Sequence, residues 1–326
     1  MRNPMRTRAS GQGFSRIEVM SVVLIMGIVT AQIFVVLTSQ RRTFMVNEQA
    51  LNTQETARVV SDLISFDARM AGFMVPLNAG VSSVDGGPVN ADRVCISDPS
   101  FALTPLDGTP SPTMDNMGRK FGGVTATNSS GTLTAVSSFD VDGDGTNDFA
   151  GNGGVIITDG VRTFCDRIVW GGIAGTTIDL SDTTPGAMGA AVTIVPAIVY
   201  EVGNLTENNG AITTSPTLSR NGIPLSNSVE DLQVRYWVDS EIPDGVMAGA
   251  EWPIDDLNNG APWMDLTRVR RMQISIVSVG TQGERQEGQF FNRRRRPGMA
   301  NRAPGVVFDE IPRRAFTVDV LPRNLL

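Results

Sequence analysis

The chain has 326 residues and a formal net charge of −7, so it is long enough for one large domain or two modest ones. It contains no histidine, which removes the usual general base near neutral pH and excludes serine or cysteine catalysis that depends on one. An acidic chain also argues against broad nucleic-acid binding through charge. We therefore expect a structural or binding protein and not an enzyme.

The first predicted element is an apolar helix that follows a short basic segment. Residues 1–13 carry arginine but no acidic residue, and residues 19–37 contain no charged side chain. At 1.5 Å per residue the apolar run spans just under the ~30 Å hydrocarbon thickness of a bilayer. It is longer than the apolar region of a secretory signal, and no small-residue cleavage site follows it. A simple uncleaved anchor is the alternative, but it leaves Glu18 at the membrane edge unexplained.

The helix is expected to continue as an amphipathic segment that ends near Gly72 and Pro76. Its apolar residues recur at alternating steps of four and three, which is typical of a helix with one face toward a core. We expect this face to pack on the chain's own C-terminal region in preference to a coiled coil with another subunit. The face comprises Val59, Leu63, Phe66, Met70 and Phe73, widened by Val60, Ile64 and Ala71.

Beyond Pro76, short runs of β-branched residues alternate with Gly, Asn, Asp and Pro, which predicts an antiparallel sheet with long loops. One long helix followed by a series of strands is an α+β fold. Residues 76–93 and 100–135 are poor in large apolar side chains and are expected to be surface loops or insertions. Residues 283–305 include four consecutive arginines and are expected to form a solvated loop. The predicted strands are residues 94–96, 155–158, 167–170, 192–200, 232–238, 272–279 and 315–321.

The two cysteines of the chain, Cys95 and Cys165, both lie beyond the apolar helix. If this part of the chain is exported, a disulfide between them is expected. Such a bond closes a loop of about 70 residues, which in the chain-entropy model stabilises the fold by roughly 4 kcal/mol. Two separate buried thiols are the alternative.

A short acidic segment is a candidate cation site. Asp140, Asp142, Asp144 and Asp148, with the carbonyl of Thr146, supply the oxygen ligands that Ca²⁺ prefers. The spacing matches the front of an EF-hand loop, but glycine replaces its bidentate glutamate and a strand-like run follows. We therefore expect weak Ca²⁺ binding, in the ~10⁻⁴–10⁻³ M range of extracellular modules. A solvated Asp-Gly turn is the alternative.

The sequence GFSRIE at residues 13–18, directly before the apolar run, resembles the processing site of type IV prepilins. This resemblance implies cleavage after Gly13 by a prepilin peptidase and N-methylation of Phe14. It also implies an assembly role for Glu18, whose carboxylate would attract the terminal amine of a neighbouring subunit. An unpaired carboxylate in a low-dielectric setting favours such a cation.

Four later segments resemble PilW-type minor pilins in the same order along the chain. They are residues 62–73, 230–239, 268–276 and 313–324, and residues 76–230 are not covered. The resemblance implies a pilin-like fold, in which a long N-terminal helix packs on a β-rich head. The implied parts are a leader at residues 1–13, a transmembrane or filament-core helix at 14–38, its amphipathic continuation at 39–75 and a head at 76–326.

The resemblance implies a structural minor pilin that takes part in the initiation or tip assembly of a type IV pilus. Its partners would be other major and minor pilins, the prepilin peptidase, the inner-membrane assembly platform and the membrane, and no nucleic acid. Before assembly it would lie in the inner membrane with its head in the periplasm, and afterwards in the extracellular pilus, near the tip. A GspJ-like pseudopilin of type II secretion and a calcium-dependent tip adhesin are the alternatives.

Overall fold

The fold is α+β, as predicted, with one long N-terminal helix and antiparallel β-sheets. Contacts divide the chain into two units, Met1–Ala50 and Leu51–Leu326, and we call the second unit the folded body. The computed structural model describes residues 15–73, 75, 79–84, 86, 90–97, 123–141, 147–160, 162–182, 191–203, 217–238, 253–254, 269–279 and 313–322.

Helix α1 runs from Arg16 to Met70. It ends where the sequence predicts, because Gly72 takes a left-handed φ of 81° that side chains rarely adopt. The N–H of Phe73 donates to the carbonyl of Met70 at 3.2 Å and closes the last turn. The helix therefore continues beyond the apolar run as far as Met70.

The described residues form fourteen strands. They are β1 (Val81–Val84), β2 (Arg93–Ser97), β3 (Val124–Ser129), β4 (Thr132–Ala135), β5 (Gly154–Thr158), β6 (Thr163–Ala174), β7 (Thr177–Leu180), β8 (Ala191–Gly203), β9 (Thr217–Arg220), β10 (Ile223–Ser226), β11 (Val229–Val238), β12 (Pro253–Ile254), β13 (Val269–Val279) and β14 (Arg313–Val320).

The larger sheet is organised around β8, whose two edges each pair with two strands. One edge pairs with β3 and then β2, and the other pairs with β5 and then β9. The strands β3, β4, β7, β6 and β5 pair in that order and return to β8, so six strands form a closed antiparallel barrel. Hydrogen-bonded closure leaves no open edge in this part of the sheet. The β1–β2 and β9–β10 hairpins extend from the other half of β8.

The barrel interior is filled by alternating side chains of its strands and by the segment between β4 and β5. We call this cluster the barrel core. The rings of Phe139 and Phe149 meet edge to face there, with centroids 5.5 Å apart. Its other members include Val124, Leu133, Val155, Ile157, Ile168, Ile178 and Ile194.

The smaller sheet has the order β12-β11-β13-β14 and packs with the last five turns of α1. Asp92, just before β2, joins the two sheets, because one oxygen of its carboxylate accepts from the N–H of Val234 at 2.8 Å. On the helix, the carbonyl of Thr53 accepts from the hydroxyl of Ser278 at 2.9 Å. We call the resulting cluster the helix–sheet core. It includes Val60, Ile64, Ala68, Val94, Ile198, Leu232, Val234, Tyr236, Met272, Ile274 and Ile276.

The helix face that packs on the body matches the predicted one in part. Val60, Ile64 and Ala71 are buried as predicted, and Leu63, Met70 and Phe73 are half-buried, whereas Val59 and Phe66 are 61% and 65% exposed. The predicted face is centred too far toward Val59 and Phe66, because the polar Ser61, Ser65 and Asp67 share the buried face.

All seven predicted strands are present. Six of them lie within β2, β5, β6, β8, β11 and β13, and residues 315–321 overlap β14 and extend one residue past it. The expectation of loops at residues 76–93 and 100–135 is wrong, because β1 lies in the first range and β3 and β4 in the second. In β3, small apolar residues face the barrel while threonines face outward, and threonine favours strands without adding hydrophobicity. The arginine run within residues 283–305 lies outside the described residues.

Candidate functional site

The N-terminal end of α1 is closed by a local hydrogen bond between Ser15 and Glu18. The backbone N–H of Ser15, the residue before the helix, donates to Oε2 of Glu18 at 3.3 Å. This is one half of a capping box, the Ser-x-x-Glu pattern in which the third helical residue returns to the N-cap. A carboxylate in the first turn also faces the positive end of the helix dipole. The sequence prediction for Glu18 missed this local role, although the Ser-x-x-Glu spacing indicates it.

Beyond Glu18 the helix presents a continuous apolar surface to its surroundings. Every side chain from residue 17 to residue 37 is exposed. By length and composition α1 is able to cross a membrane, which is consistent with the predicted anchoring. Because so large an apolar surface is unfavourable in water, this segment requires lipid or other apolar helices around it.

The polar side chains within the apolar segment are mostly satisfied by the helix itself. Ser21, Thr30 and Thr38 donate to carbonyls three or four residues earlier, at 2.8–2.9 Å. Such bonds let hydroxyl groups enter a membrane without exposing an unpaired donor. Gln32 differs, because no hydrogen bond to its amide is found among the described residues. In hydrocarbon that amide would favour a partner on another helix.

The other two residues of the predicted processing site, Gly13 and Phe14, lie outside the described residues. The structure therefore bears on Glu18 but not on the cleavage step. Cleavage after Gly13 and methylation of Phe14 remain predictions.

Of the predicted calcium ligands, Asp142, Asp144 and Thr146 lie outside the described residues, while Asp140 and Asp148 are described. The N–H of Val141 donates to Oδ2 of Asp148, and the N–H of Asp148 donates to the carbonyl of Phe139 at 3.1 Å. These bonds hold the two ends of the acidic segment together. Within the described part of the chain no group of three or more potential metal-binding side chains is found, and calcium binding remains a prediction.

Cys95 and Cys165 form a disulfide, with Cα atoms 5.7 Å apart. The bond joins β2 to β6, and both residues are fully buried. The predicted pairing is therefore confirmed. Around it lies a small apolar cluster on the outer side of the barrel wall, which includes Ala79, Ile156, Val195 and Val199.

A network of charged side chains lies beside the disulfide. The Arg93 guanidinium contacts carboxylate oxygens of Asp166 and Asp182 at 2.7 Å and of Glu201 at 3.2 Å. The Asp166 carboxylate is fully buried and also accepts from the Ser181 hydroxyl. Burial raises the pKa of the Asp166 carboxyl, and its hydrogen bonds and Arg93 offset this only in part.

For Arg93, burial alone would lower the pKa of the guanidinium. The carboxylates of Glu201, Asp166 and Asp182 outweigh that effect and raise it. The guanidinium is therefore held in its charged form at the junction of β2, β6 and β8. Sequence analysis missed this network because its members are distant along the chain and follow no motif.

A second network fixes the helix to the larger sheet. Asp67 on α1 is buried, and its Oδ2 accepts from the hydroxyl of Tyr200 and from Nε of Arg220, the latter at 3.0 Å. Burial and the contact with Asp67 raise the pKa of Tyr200, which keeps its hydroxyl protonated as a donor. The network spans α1, β8 and β9 and stabilises the position of the helix on the body.

Among these groups, the Arg93 and Asp67 networks join elements of the body, whereas Glu18 and the apolar segment of α1 are exposed. Comparison of the chain with protein-family models, curated proteins and solved structures found no match.

Proposed function

We propose that this chain is a structural subunit of a type IV pilus, a PilW-type minor pilin that acts in initiation or tip assembly. The observation that carries the proposal is the fully exposed apolar segment of α1 with Glu18 in its first turn. That segment fits the membrane before assembly and a bundle of similar helices afterwards. The side-chain amide of Gln32 favours the helix bundle, because lipid offers it no hydrogen-bond partner.

In this proposal Glu18 has two consecutive roles. Before assembly its carboxylate accepts from the Ser15 N–H and stabilises the start of the helix. An ionised carboxylate has about four lone-pair sites, so one N–H leaves capacity for an ammonium group. The new N-terminal amine of a neighbouring subunit would donate to the remaining lone pairs of the Glu18 carboxylate. Their attraction is stronger in a low-dielectric environment than in water.

The two roles of Glu18 can be separated by substitution. Glu18→Gln keeps a side-chain oxygen for the Ser15 N–H, since capping boxes use Glu or Gln, but removes the charge. Ser15→Ala is the matched control, because it keeps the Glu18 charge and the backbone N–H at residue 15 and removes only a hydroxyl group, at a cost of up to about 1 kcal/mol. The variants would be made in the native organism, where pili are counted by electron microscopy and the mature N-terminus is read by mass spectrometry.

We expect Glu18→Gln to be cleaved and membrane-bound but to lose most piliation, while Ser15→Ala retains near-normal piliation. Normal pilus numbers in Glu18→Gln would contradict the assembly role. An intact N-terminus at Met1 in the unsubstituted chain would contradict membership of the prepilin class and favour a simple membrane anchor.

A further inference from the structure

Arg93 and Asp166 lie directly beside the two cysteines, both along the chain and in the fold. Successive side chains of a strand point to opposite faces, so Arg93 and Cys95 share one face of β2. On β6, Asp166 follows Cys165, and its carbonyl oxygen lies 3.7 Å from Sγ of Cys95. The ion pair between Arg93 and Asp166 is therefore a near neighbour of the disulfide.

The ion pair and the disulfide join the same two strands, β2 and β6. Among the described strands, β2 pairs with β1 and β8, and β6 pairs with β5 and β7. The other face of β2 places Val94 and Ile96 in the helix–sheet core, whereas β6 supplies Phe164 and Ile168 to the barrel core. Both links therefore fasten the barrel wall to a strand of the helix–sheet core, across strands that backbone hydrogen bonds do not join.

Each partner of the ion pair is also held by groups on its own side. The Asp166 carboxylate accepts from the Ser181 hydroxyl and from the N–H groups of Arg167 and Asp182, at 2.7 and 2.9 Å for the two N–H groups. On the β2 side, Nε of Arg93 contacts the carboxylate of Glu201 on β8 at 3.2 Å. None of these bonds involves a sulfur atom, so they can orient both charged groups while the cysteines are still reduced.

Burial makes the attraction between the two groups effective. The Asp166 side chain is fully buried and that of Arg93 is 19% exposed, and opposite charges attract more strongly in such surroundings than in water. A buried carboxylate without its cation is costly. The contact is made only where β2 and β6 lie at the separation that the disulfide also requires. Two links that stabilise one arrangement raise each other's equilibrium constants by the same factor.

We propose that the Arg93–Asp166 ion pair is a positioning device for the disulfide. In the reduced chain it aligns β2 with β6 and raises the effective concentration of the Cys95 and Cys165 thiols for each other. Arg93 and Asp166 are positioning residues, because they exchange no electrons with the sulfur atoms. The inference goes beyond the proposed function and does not depend on it.

The reaction that the ion pair assists is thiol–disulfide exchange with a disulfide oxidant, here oxidised glutathione. The thiolate of one cysteine attacks the oxidant, which forms a mixed disulfide and releases one reduced glutathione. The thiolate of the second cysteine then attacks the mixed disulfide, which forms the protein disulfide and releases the second glutathione. Two electrons pass from the cysteines to the oxidant, and the two thiol protons end on the released glutathione thiols.

The redox equilibrium of the full chain in detergent, set with mixtures of reduced and oxidised glutathione, tests the proposal. The effective concentration follows from the ratio of oxidised to reduced chain after thiol alkylation. Asp166→Asn removes the charge at nearly constant size. Asp67→Asn is the matched control, because Asp67 is a buried carboxylate that contacts Arg220 at 3.0 Å but joins α1 to β9. Arg93→Lys keeps a positive charge and removes the planar fork.

We expect Asp166→Asn to lower the effective concentration by about five-fold or more, a typical coupling between linked events, and Arg93→Lys to lower it by a smaller factor. Asp67→Asn should leave it nearly unchanged, although the substitution weakens the fold. An unchanged value for Asp166→Asn, or an equal decrease in Asp166→Asn and Asp67→Asn, would overturn the proposal.

Far-UV circular dichroism of each reduced variant shows whether the comparison is made between folded chains. If reduced Asp166→Asn is unfolded, Arg93→Lys decides the matter. A decrease for Arg93→Lys that is clearly larger than the decrease for Asp67→Asn would then support the positioning role. An Arg93→Lys chain with the parent's effective concentration would then overturn it.

Discussion

The helix–sheet core and the barrel core of the folded body are built in different ways. The helix–sheet core depends on one helix, which meets the strands through small residues and the buried Asp67. Among the described residues, the buried side chains of the barrel core come from strands and from the segment between β4 and β5, in a closed circuit of strand pairs. A disulfide and the Arg93 network lie on the outside of the barrel wall.

Because the two cores are built from different elements, apart from β8, we predict that a substitution in one core affects that core more than the other. The barrel lies within residues 76–230, which the pilin resemblance does not cover, while α1, β11, β13 and β14 coincide with the segments that carry it. Each region has its own tryptophan, Trp170 in β6 and Trp237 in β11. Fluorescence of single-tryptophan versions of the full chain in detergent can therefore follow each region during unfolding. One shared transition in every variant below would contradict the comparison.

The largest effect is expected from Ile64→Ala, which removes a fully buried side chain from the helix–sheet core. Truncation of a buried Ile costs about 2–5 kcal/mol, and we expect a loss of this size in the free energy of unfolding reported by Trp237. Phe66→Ala is the control on the same helix, because Phe66 is 65% exposed and a change within about 0.5 kcal/mol is expected in detergent. Equal losses from both variants would mean that the buried face is assigned wrongly.

The next effect concerns the Asp67 network. Asp67→Ala leaves the buried hydroxyl of Tyr200 and the partly buried Arg220 without their carboxylate. We expect a loss of about 2–4 kcal/mol in the Trp237 transition, since a buried group that loses its partner bears its full desolvation cost. Asp62→Ala removes an exposed carboxylate from the same helix and should cost about 0–1 kcal/mol. A neutral Asp67→Ala would show that the network does not hold the helix.

On the barrel side, the double substitution Cys95→Ala with Cys165→Ala is expected to lower the free energy of unfolding by about 2–4 kcal/mol. The effect should be larger at Trp170 than at Trp237, because the disulfide joins β2 to the barrel strand β6. Reductant present during unfolding should reproduce the loss in the unsubstituted chain and leave the double variant unchanged. A double variant as stable as the parent would show that the bond does not contribute.

The sequence alone predicts the local features of both regions and few of the distant ones. Strands rich in β-branched residues are recognised, and two cysteines allow one intramolecular pairing. The barrel is not predictable in this way, because its closure depends on pairings such as β3 with β8 that no local pattern encodes. The centre of the packed face of α1 is misplaced in the prediction, because the buried Asp67 is polar and its partner Tyr200 lies 133 residues away. The capping hydrogen bond between Ser15 and Glu18 is predictable from the Ser-x-x-Glu spacing.

The smallest effect is expected from the addition of Ca²⁺, which tests the acidic segment between β4 and β5. If it binds Ca²⁺ with a dissociation constant of ~10⁻⁴–10⁻³ M, 10 mM Ca²⁺ should stabilise the fold by about 1.4–2.7 kcal/mol. Since Phe139 and Phe149 connect this segment to the barrel core, the shift should appear at Trp170 and be much smaller at Trp237. Asp144→Ala should abolish the calcium-dependent shift, whereas Asp62→Ala should retain it.

If the parent chain shows no calcium-dependent shift, and a titration with Ca²⁺ gives no heat, a solvated turn is the correct interpretation of the acidic segment. An equal shift at both tryptophans would show that the barrel and the helix–sheet core unfold as one unit.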